Sequence, residues 1–273
     1  MKKKILIGCG IVFCILLLLF VFVFKKSSGV DNEVPVPEPV IITERPIEES
    51  IGERPYVSLV PTADGHWVNL EIKNFAKGVR SFEYDLIYFA DFEGSKIERG
   101  VTTGGVPVEL SGSDFSKKIL FGSASCTTGV CKYKYDENVT EGSLILNINL
   151  DKEVDHYETT YRIQKGSEGK EGLTTGDGAF SFVSSNLKTK NLYLTISSVG
   201  VPVMLPVELV PKSVPYAIFP TITEKGTVTV KTPLSSGAIY AFNGKSWQKL
   251  PTTFSEGEAT AQSSGNYLFI LTQ

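Results

Sequence analysis

Two of the four cysteines, Cys126 and Cys131, have the spacing that most favours a defined chemistry. Four residues separate them, Thr127-Thr128-Gly129-Val130, and a turn of that length with a glycine can close a disulfide. In an oxidising compartment so short a ring stabilises a fold by about 2 kcal/mol on loop-entropy arithmetic. A metal pair would need two further ligands, and a redox pair usually has two intervening residues. The spacing therefore predicts a structural disulfide.

The only histidines, His66 and His156, are the residues that a zinc site or a Ser-His-Asp triad would have to use. His66 lies beside a predicted hairpin turn and His156 at the start of a predicted strand, and neither stands in an HExxH or HxH context. Both are interpreted as exposed or capping residues. The sequence also has no G-x-S-x-G elbow, Walker loop or GxGxxG motif, so no catalytic or cofactor-binding residue is assigned.

Acidic residues cluster loosely in two places, where calcium could bind between loops. The clusters are Asp85, Asp91 and Glu93, and Asp151, Glu153 and Asp155. Their spacing matches no known calcium loop, and solvated turns use such residues more often. No metal ligand is therefore assigned, and no cofactor is expected.

Strands must position these residues, because period-two alternation dominates the chain past residue 55. Asp64-Gly65 between the alternating runs 56–60 and 67–72 is a strong hairpin signal. Further strands are predicted at 81–89, 106–110, 117–121, 142–150 and 156–164. About seven strands at about ten-residue spacing are typical of a Greek-key sandwich, which we place at residues 55–165.

A glycine- and charge-rich break at 165–172 precedes a second set of strands, which we place in a sandwich-like domain at residues 166–273. These strands are predicted at 179–183, 191–197, 201–209, 226–231, 238–242, 246–250, 258–262 and 266–271. Prolines at 202, 206, 211, 215 and 220 reduce 201–209 to an edge strand or an ordered crossover. The predicted fold class is all-β, with two immunoglobulin/fibronectin-III-like Greek-key β-sandwiches.

The N-terminus predicts a membrane anchor. Residues 5–24 are twenty consecutive uncharged residues, long enough as a helix to span a bilayer of about 30 Å. Lysines at 2–4, 25 and 26 flank them, and the positive-inside rule favours a cytoplasmic stub at 1–4 with the remaining chain outside. Two other interpretations are a signal peptide cleaved after Gly29 and a lipoprotein at Cys9, although for a lipobox the hydrophobic region should precede the cysteine.

Residues 25–54 predict a tether that holds the ectodomain away from the membrane. This segment is rich in proline and glutamate, which favour an extended chain of up to about 90 Å.

The chain beyond the membrane segment is acidic. Without the five lysines near that segment it has 22 basic and 30 acidic residues, a net charge of −8. An acidic ectodomain lacks the basic face that nucleic acid or an anionic membrane requires, so no nucleic-acid partner is expected.

The chain resembles uncharacterised single-pass envelope proteins of small-genome candidate-phylum bacteria almost end to end. The features that carry the resemblance are the lysine-rich start, the tether, residues 56–65, the cysteine segment 122–136 and residues 239–250. The resemblance implies a cell-envelope location and a disulfide-bearing β ectodomain. It implies no activity.

These observations predict a single-pass membrane protein with a non-catalytic binding or adhesion module outside the membrane. A structural spacer is the alternative, and an envelope hydrolase is a further one, which would need convergent carboxylates or a histidine in a cleft. The partner in the envelope or on another cell is unknown. Tyr133 and Tyr135, beside the cysteines, are the candidate contact surface, and the competing interpretation is that they pack across a sheet.

Overall fold

The computed structural model describes residues 43–44, 50–151 and 153–273. The predicted cytoplasmic stub and membrane helix, residues 1–24, lie outside the described residues, as does most of the predicted tether. Among the described residues, none of the helical segments has the length and apolar character needed to span a membrane.

The described residues form an all-β fold, as the sequence predicts. The described part of the chain also contains one 3-10 turn, at Gly166–Lys170. The strands are β1 Thr43–Glu44, β2 Tyr56–Pro61, β3 Trp67–Lys73, β4 Ser81–Phe92, β5 Ser95–Thr102, β6 Val108–Glu109, β7 Phe115–Leu120, β8 Gly122–Thr127, β9 Val130–Tyr135, β10 Glu141–Asn149, β11 Glu153–Lys165, β12 Leu173–Thr174, β13 Phe180–Val183, β14 Leu192–Ser197, β15 Tyr216–Phe219, β16 Lys225–Lys231, β17 Ala238–Phe242, β18 Trp247–Lys249, β19 Thr252–Ser255, β20 Glu258–Ser264 and β21 Leu268–Thr272.

One long sheet organises the fold. Its strands follow the order β18-β17-β21-β15-β14-β11-β10-β4-β5, with β1 and β6 paired to β11 and β4. Three smaller sheets accompany it: β2-β3-β7, β12-β13-β16-β20-β19 and the hairpin β8-β9. Neighbouring strands pair antiparallel, except that β1 runs parallel to β11.

The first hairpin forms as the sequence predicts. Leu59 pairs with Leu70 across β2 and β3, and both side chains are fully buried. The turn closes because the Thr62 N–H donates to the Trp67 carbonyl at 2.9 Å, while Gly65 adopts a φ of 73° that favours glycine. This turn holds His66 and Trp67 at the end of the small sheet.

Two hydrophobic cores lie on opposite faces of the long sheet. Consecutive residues of a strand point to opposite faces, and the neighbours Tyr193 and Leu194 of β14 belong to different cores. In β15, likewise, Ala217 packs in one core and Ile218 in the other. The sheet β2-β3-β7 covers the first core, and the sheet β12-β13-β16-β20-β19 covers the second. The long sheet is therefore sandwiched on both faces over these strands.

The predicted boundary at residues 165 and 166 falls inside this arrangement. β11 ends at Lys165, and its last residue pairs with Leu192 of β14. Hydrogen bonds of one sheet therefore link the two predicted sandwiches, and the described residues from 43 onward form one compact unit. The glycine-rich segment after β11 leads into β12 and β13 of the five-stranded sheet, and the chain returns to the long sheet at β14.

Residues 201–209 contain no strand. Of the two structures that the prolines favour, an edge strand and an ordered crossover, the segment therefore forms the crossover. The sequence prediction missed seven strands: β1, β5, β8, β9, β12, β15 and β19. Three of these, β5, β8 and β9, expose most of their side chains. β1 and β12 have only two residues each. β15 is buried on both faces and reads as a short apolar run between prolines.

Candidate functional site

The disulfide predicted from spacing is present. Cys126 and Cys131 are bonded across a hairpin formed by β8 and β9. The two residues at its tip, Thr128 and Gly129, have φ values of 49° and 82°, as the tight turns that favour hairpins require. The bond ties the two strands together one residue pair before the turn, which limits fraying of this exposed hairpin.

The hairpin has an aromatic face and a basic face. Residues two apart share a face of a strand, so Cys131, Tyr133 and Tyr135 point the same way. Lys132 and Lys134 point the opposite way. The disulfide and both tyrosines therefore lie on one face, which turns toward β2 and β3.

Four rings from two separate segments form one continuous series. The imidazole of His66 stacks on Tyr135, with 3.8 Å between ring centroids and 7° between planes. Tyr135 and Tyr133 lie 6.1 Å apart with nearly parallel planes, and Trp67 meets Tyr133 edge-on at 5.4 Å. We call His66, Tyr135, Tyr133 and Trp67 the aromatic ladder. Both tyrosine rings therefore pack on neighbouring rings, as the competing interpretation expects.

The aromatic ladder also remains accessible to solvent. Tyr133 is 45% exposed and Tyr135 is 39% exposed. The Lys118 ammonium lies 4.8 Å from the centroid of the Trp67 ring, close enough for a cation–π contact. Large aromatic side chains fixed in place with part of their surface wet are the residues that binding interfaces favour.

The base of the hairpin is fixed by a polar network. The Gly122 N–H donates to the Tyr88 hydroxyl at 3.0 Å, and that hydroxyl donates to Asp136 at 2.8 Å. The Arg99 guanidinium lies 3.0 Å from the same carboxylate. Burial, followed by the bond to Asp136, raises the pKa of the Tyr88 phenol, so Tyr88 stays a donor at neutral pH.

Gly122 permits the close approach of the two strands. Its φ is 142°, in the region that favours glycine. A Cβ built there would collide with the Lys134 carbonyl oxygen and lie 3.0 Å from the Tyr135 Cα. Glycine is thus required where the hairpin leaves β7, and this requirement sets the position of Tyr135 against His66.

A cleft of about 560 Å³ opens beside the ladder. Its polar wall carries four carboxylates and one ammonium group, from Asp64, Asp136, Glu137, Glu168 and Lys165. The Thr62 hydroxyl and the backbone N–H of His66 donate to the Asp64 carboxylate. These hydrogen bonds hold the pKa of that carboxyl below its usual value. The cleft therefore offers hydrogen-bond acceptors next to the rings of His66 and Tyr135.

The histidines lack the order of contacts that a nucleophilic relay needs. His66 Nδ1 lies 3.3 Å from Asp64, but the nearby Thr62 hydroxyl donates to the carboxylate rather than to the imidazole. In a catalytic triad the histidine lies between the hydroxyl of the nucleophile and the carboxylate, and hydrogen-bonds to both. His156 contacts its cross-strand neighbour Asn147 at 2.7 Å. Within the part of the chain that the structure describes, no group of three His, Cys, Asp or Glu residues could hold a metal ion.

Sequence reasoning found half of the ladder. Their place beside the cysteines predicts Tyr133 and Tyr135 as a contact surface, whereas His66 is predicted only as an exposed or capping residue and Trp67 only as part of a strand. The available signal was the Asp64-Gly65 turn, which places two aromatic residues at a hairpin end. No family model, curated protein or solved structure matches the chain.

Proposed function

We propose that this protein is a membrane-anchored, extracytoplasmic β-sandwich protein that binds a partner in the cell envelope or on another cell. Residues 5–24 anchor it with the N-terminus in the cytoplasm, and residues 25–54 act as the tether. Its two immunoglobulin-like halves share a sheet and present the binding surface outward. The protein is a non-catalytic module.

The observation that carries this proposal is the aromatic ladder. Its rings come from two hairpins that pack against each other, and a disulfide crosses one of them. Ordering a flexible side chain on binding costs free energy, and this arrangement has already fixed its tyrosines. Exposed, pre-ordered tyrosine and tryptophan side chains are typical anchors of binding interfaces. The acidic cleft beside them adds acceptors for a polar partner.

The test compares two faces of one hairpin. The full-length chain in detergent is immobilised and incubated with envelope extract under oxidising conditions. The variant Tyr133→Ser/Tyr135→Ser removes the aromatic face, and Lys132→Ser/Lys134→Ser removes the basic face as a matched control. We expect a specific protein or glycan that is captured by the parent chain and the control, and lost with the aromatic variant.

Either of two results would count against the proposal. Capture that survives in the aromatic variant would place the binding surface elsewhere. The absence of any captured partner, with the disulfide intact and the β-sheet circular dichroism unchanged, would favour a structural spacer instead. A hydrolase would show turnover of envelope glycan or peptide by the parent chain.

A further inference from the structure

Exposed apolar side chains concentrate in one loop. We define the apolar loop as residues 202–214, which form most of the connection between β14 and β15. Among the described residues, eleven large hydrophobic side chains are exposed, and five of these belong to the loop: Val203, Met204, Val207, Val210 and Val214. Val207 is fully exposed. Scattered exposed hydrophobics need no explanation, but such a cluster marks a contact surface.

The fold holds this loop in a defined shape. The Asn74 side-chain amide donates to the Val201 and Pro202 carbonyls, and the Trp247 indole N–H donates to the Val203 carbonyl at 3.0 Å. The Lys212 N–H donates to the carbonyl of Leu271 in β21. These bonds fix the backbone at both ends, while the apolar side chains still face solvent.

The apolar loop lies where the chain enters the folded unit. A Cβ built on Gly52 would be in contact with Met204, at 3.7 Å from its Cε. Gly200, just before the loop, packs against the backbone of Arg54 and Pro55. The segment that arrives from the predicted anchor therefore reaches the fold beside the most apolar part of its surface.

We propose that the apolar loop contacts the surface of the lipid bilayer. This inference rests on the membrane anchor of the proposed function. Glu208 and Lys212 are the only charged residues of the loop and carry opposite signs, so it brings no net charge to the lipid. The contact is accordingly hydrophobic rather than electrostatic, and it does not depend on anionic lipid.

The tether makes a weak contact sufficient. About thirty residues behaving as a coil have an end-to-end distance of roughly 30 Å. A linker of that reach gives a tethered surface an effective concentration on the order of millimolar. The bilayer contact thus orients the ectodomain with the loop inward, and it needs little intrinsic affinity.

The experiment places a fluorescent reporter in the loop of the full-length chain. Val207→Trp is reconstituted into phosphatidylcholine vesicles with and without brominated acyl chains, which quench tryptophan at the lipid. Val106→Trp is the matched control, because Val106 is 70% exposed in a separate loop between β5 and β6. Wild-type protein corrects for Trp67 and Trp247. We expect fluorescence loss in brominated vesicles for Val207→Trp alone, unchanged when phosphatidylglycerol is added.

Retention of the protein in alkali-washed membranes, measured on the same samples, tests the membrane anchor separately from the loop contact. Chains retained in the membrane without quenching of Val207→Trp would overturn the loop contact and leave the anchor intact. Quenching that appears only with anionic lipid would also overturn it. A blue-shifted but unquenched Val207→Trp would assign the loop to a second copy of the chain. Loss of retention would refute the anchor and, with it, this inference.

Discussion

The imidazole ring of His66 lies flat on the phenol ring of Tyr135, with 3.8 Å between their centroids. The two residues come from different hairpins, His66 from the turn before β3 and Tyr135 from the end of β9. Their contact joins the disulfide hairpin to the body of the fold at the point where the aromatic ladder begins. This stacked pair, the edge-on contact of Trp67 with Tyr133 and the polar network around Tyr88 together set the orientation of the candidate binding surface.

We expect the stack to contribute about 1 kcal/mol of coupling energy. The measurement is a double-mutant cycle with His66→Ala and Tyr135→Ala, in which the free energy of unfolding in urea is compared for all four chains. His156→Ala is the control, since its ring contacts Asn147 instead. Strictly additive single-mutant effects would show that the stacking does not hold the hairpin.

Gly122→Ala should displace the hairpin and abolish partner capture. The new Cβ would meet the Lys134 carbonyl oxygen, so the strands would have to separate beside Tyr135. Gly129→Ala is the control at the hairpin tip, where φ is 82° and no atom lies within 4 Å of the added Cβ. Its cost is limited to backbone strain of about 1–2 kcal/mol. Amide hydrogen exchange over residues 122–135 would report the difference, and equal exchange in both variants would contradict the prediction.

The shared sheet predicts cooperative unfolding of the two halves. Leu59→Ala and Phe182→Ala each remove a fully buried side chain, the first from one core and the second from the other. Each should destabilise the whole fold by about 2–5 kcal/mol while a single transition is kept. Near-ultraviolet and far-ultraviolet circular dichroism should therefore give the same midpoint. Separate transitions, each moved by only one of the variants, would instead establish two independent sandwiches.

Stability should fall steeply above pH 10 because several tyrosines are buried. Burial raises the pKa of Tyr161, whose hydroxyl donates to the Ile87 carbonyl at 2.9 Å. In the unfolded chain tyrosine ionises near pH 10, so above that pH the folded state binds more protons and loses stability as pH rises. Tyr161→Phe should reduce this decline by about 1 kcal/mol between pH 10 and 11, because the unfolded tyrosine goes from half to nearly full ionisation and a full proton difference corresponds to about 1.4 kcal/mol per pH unit. Urea unfolding at pH 7 and between pH 10 and 11 measures it, and identical slopes would refute it.

Strands with one wet face were predictable from sequence. β3 and β10 alternate because one side packs on a core and the other meets water, and both fall where the period-two pattern places them. β8 and β9 were missed because the hairpin projects from the fold, so most of its side chains are exposed and β8 contains no large apolar residue.

The candidate site was only partly predictable for a different reason. Tyr133 and Tyr135 stand near the cysteines in sequence, so local spacing identifies them. His66 precedes Tyr135 by almost seventy residues, and their stacking depends on how two small sheets pack. The shared long sheet is also a non-local feature, because the pairing of Lys165 with Leu192 spans the glycine-rich segment that looks like a linker.

The burial of β15 and β21 on both faces has a consequence for the chain before it is fully folded. Tyr216–Phe219 and Leu268–Leu271 bury every side chain, so neither strand has a polar face. Until both outer sheets are in place, these strands expose adhesive edges and faces that can recruit like strands from other molecules. A chain that stalls at this stage is therefore a substrate for aggregation, or for the chaperones and proteases that prevent it.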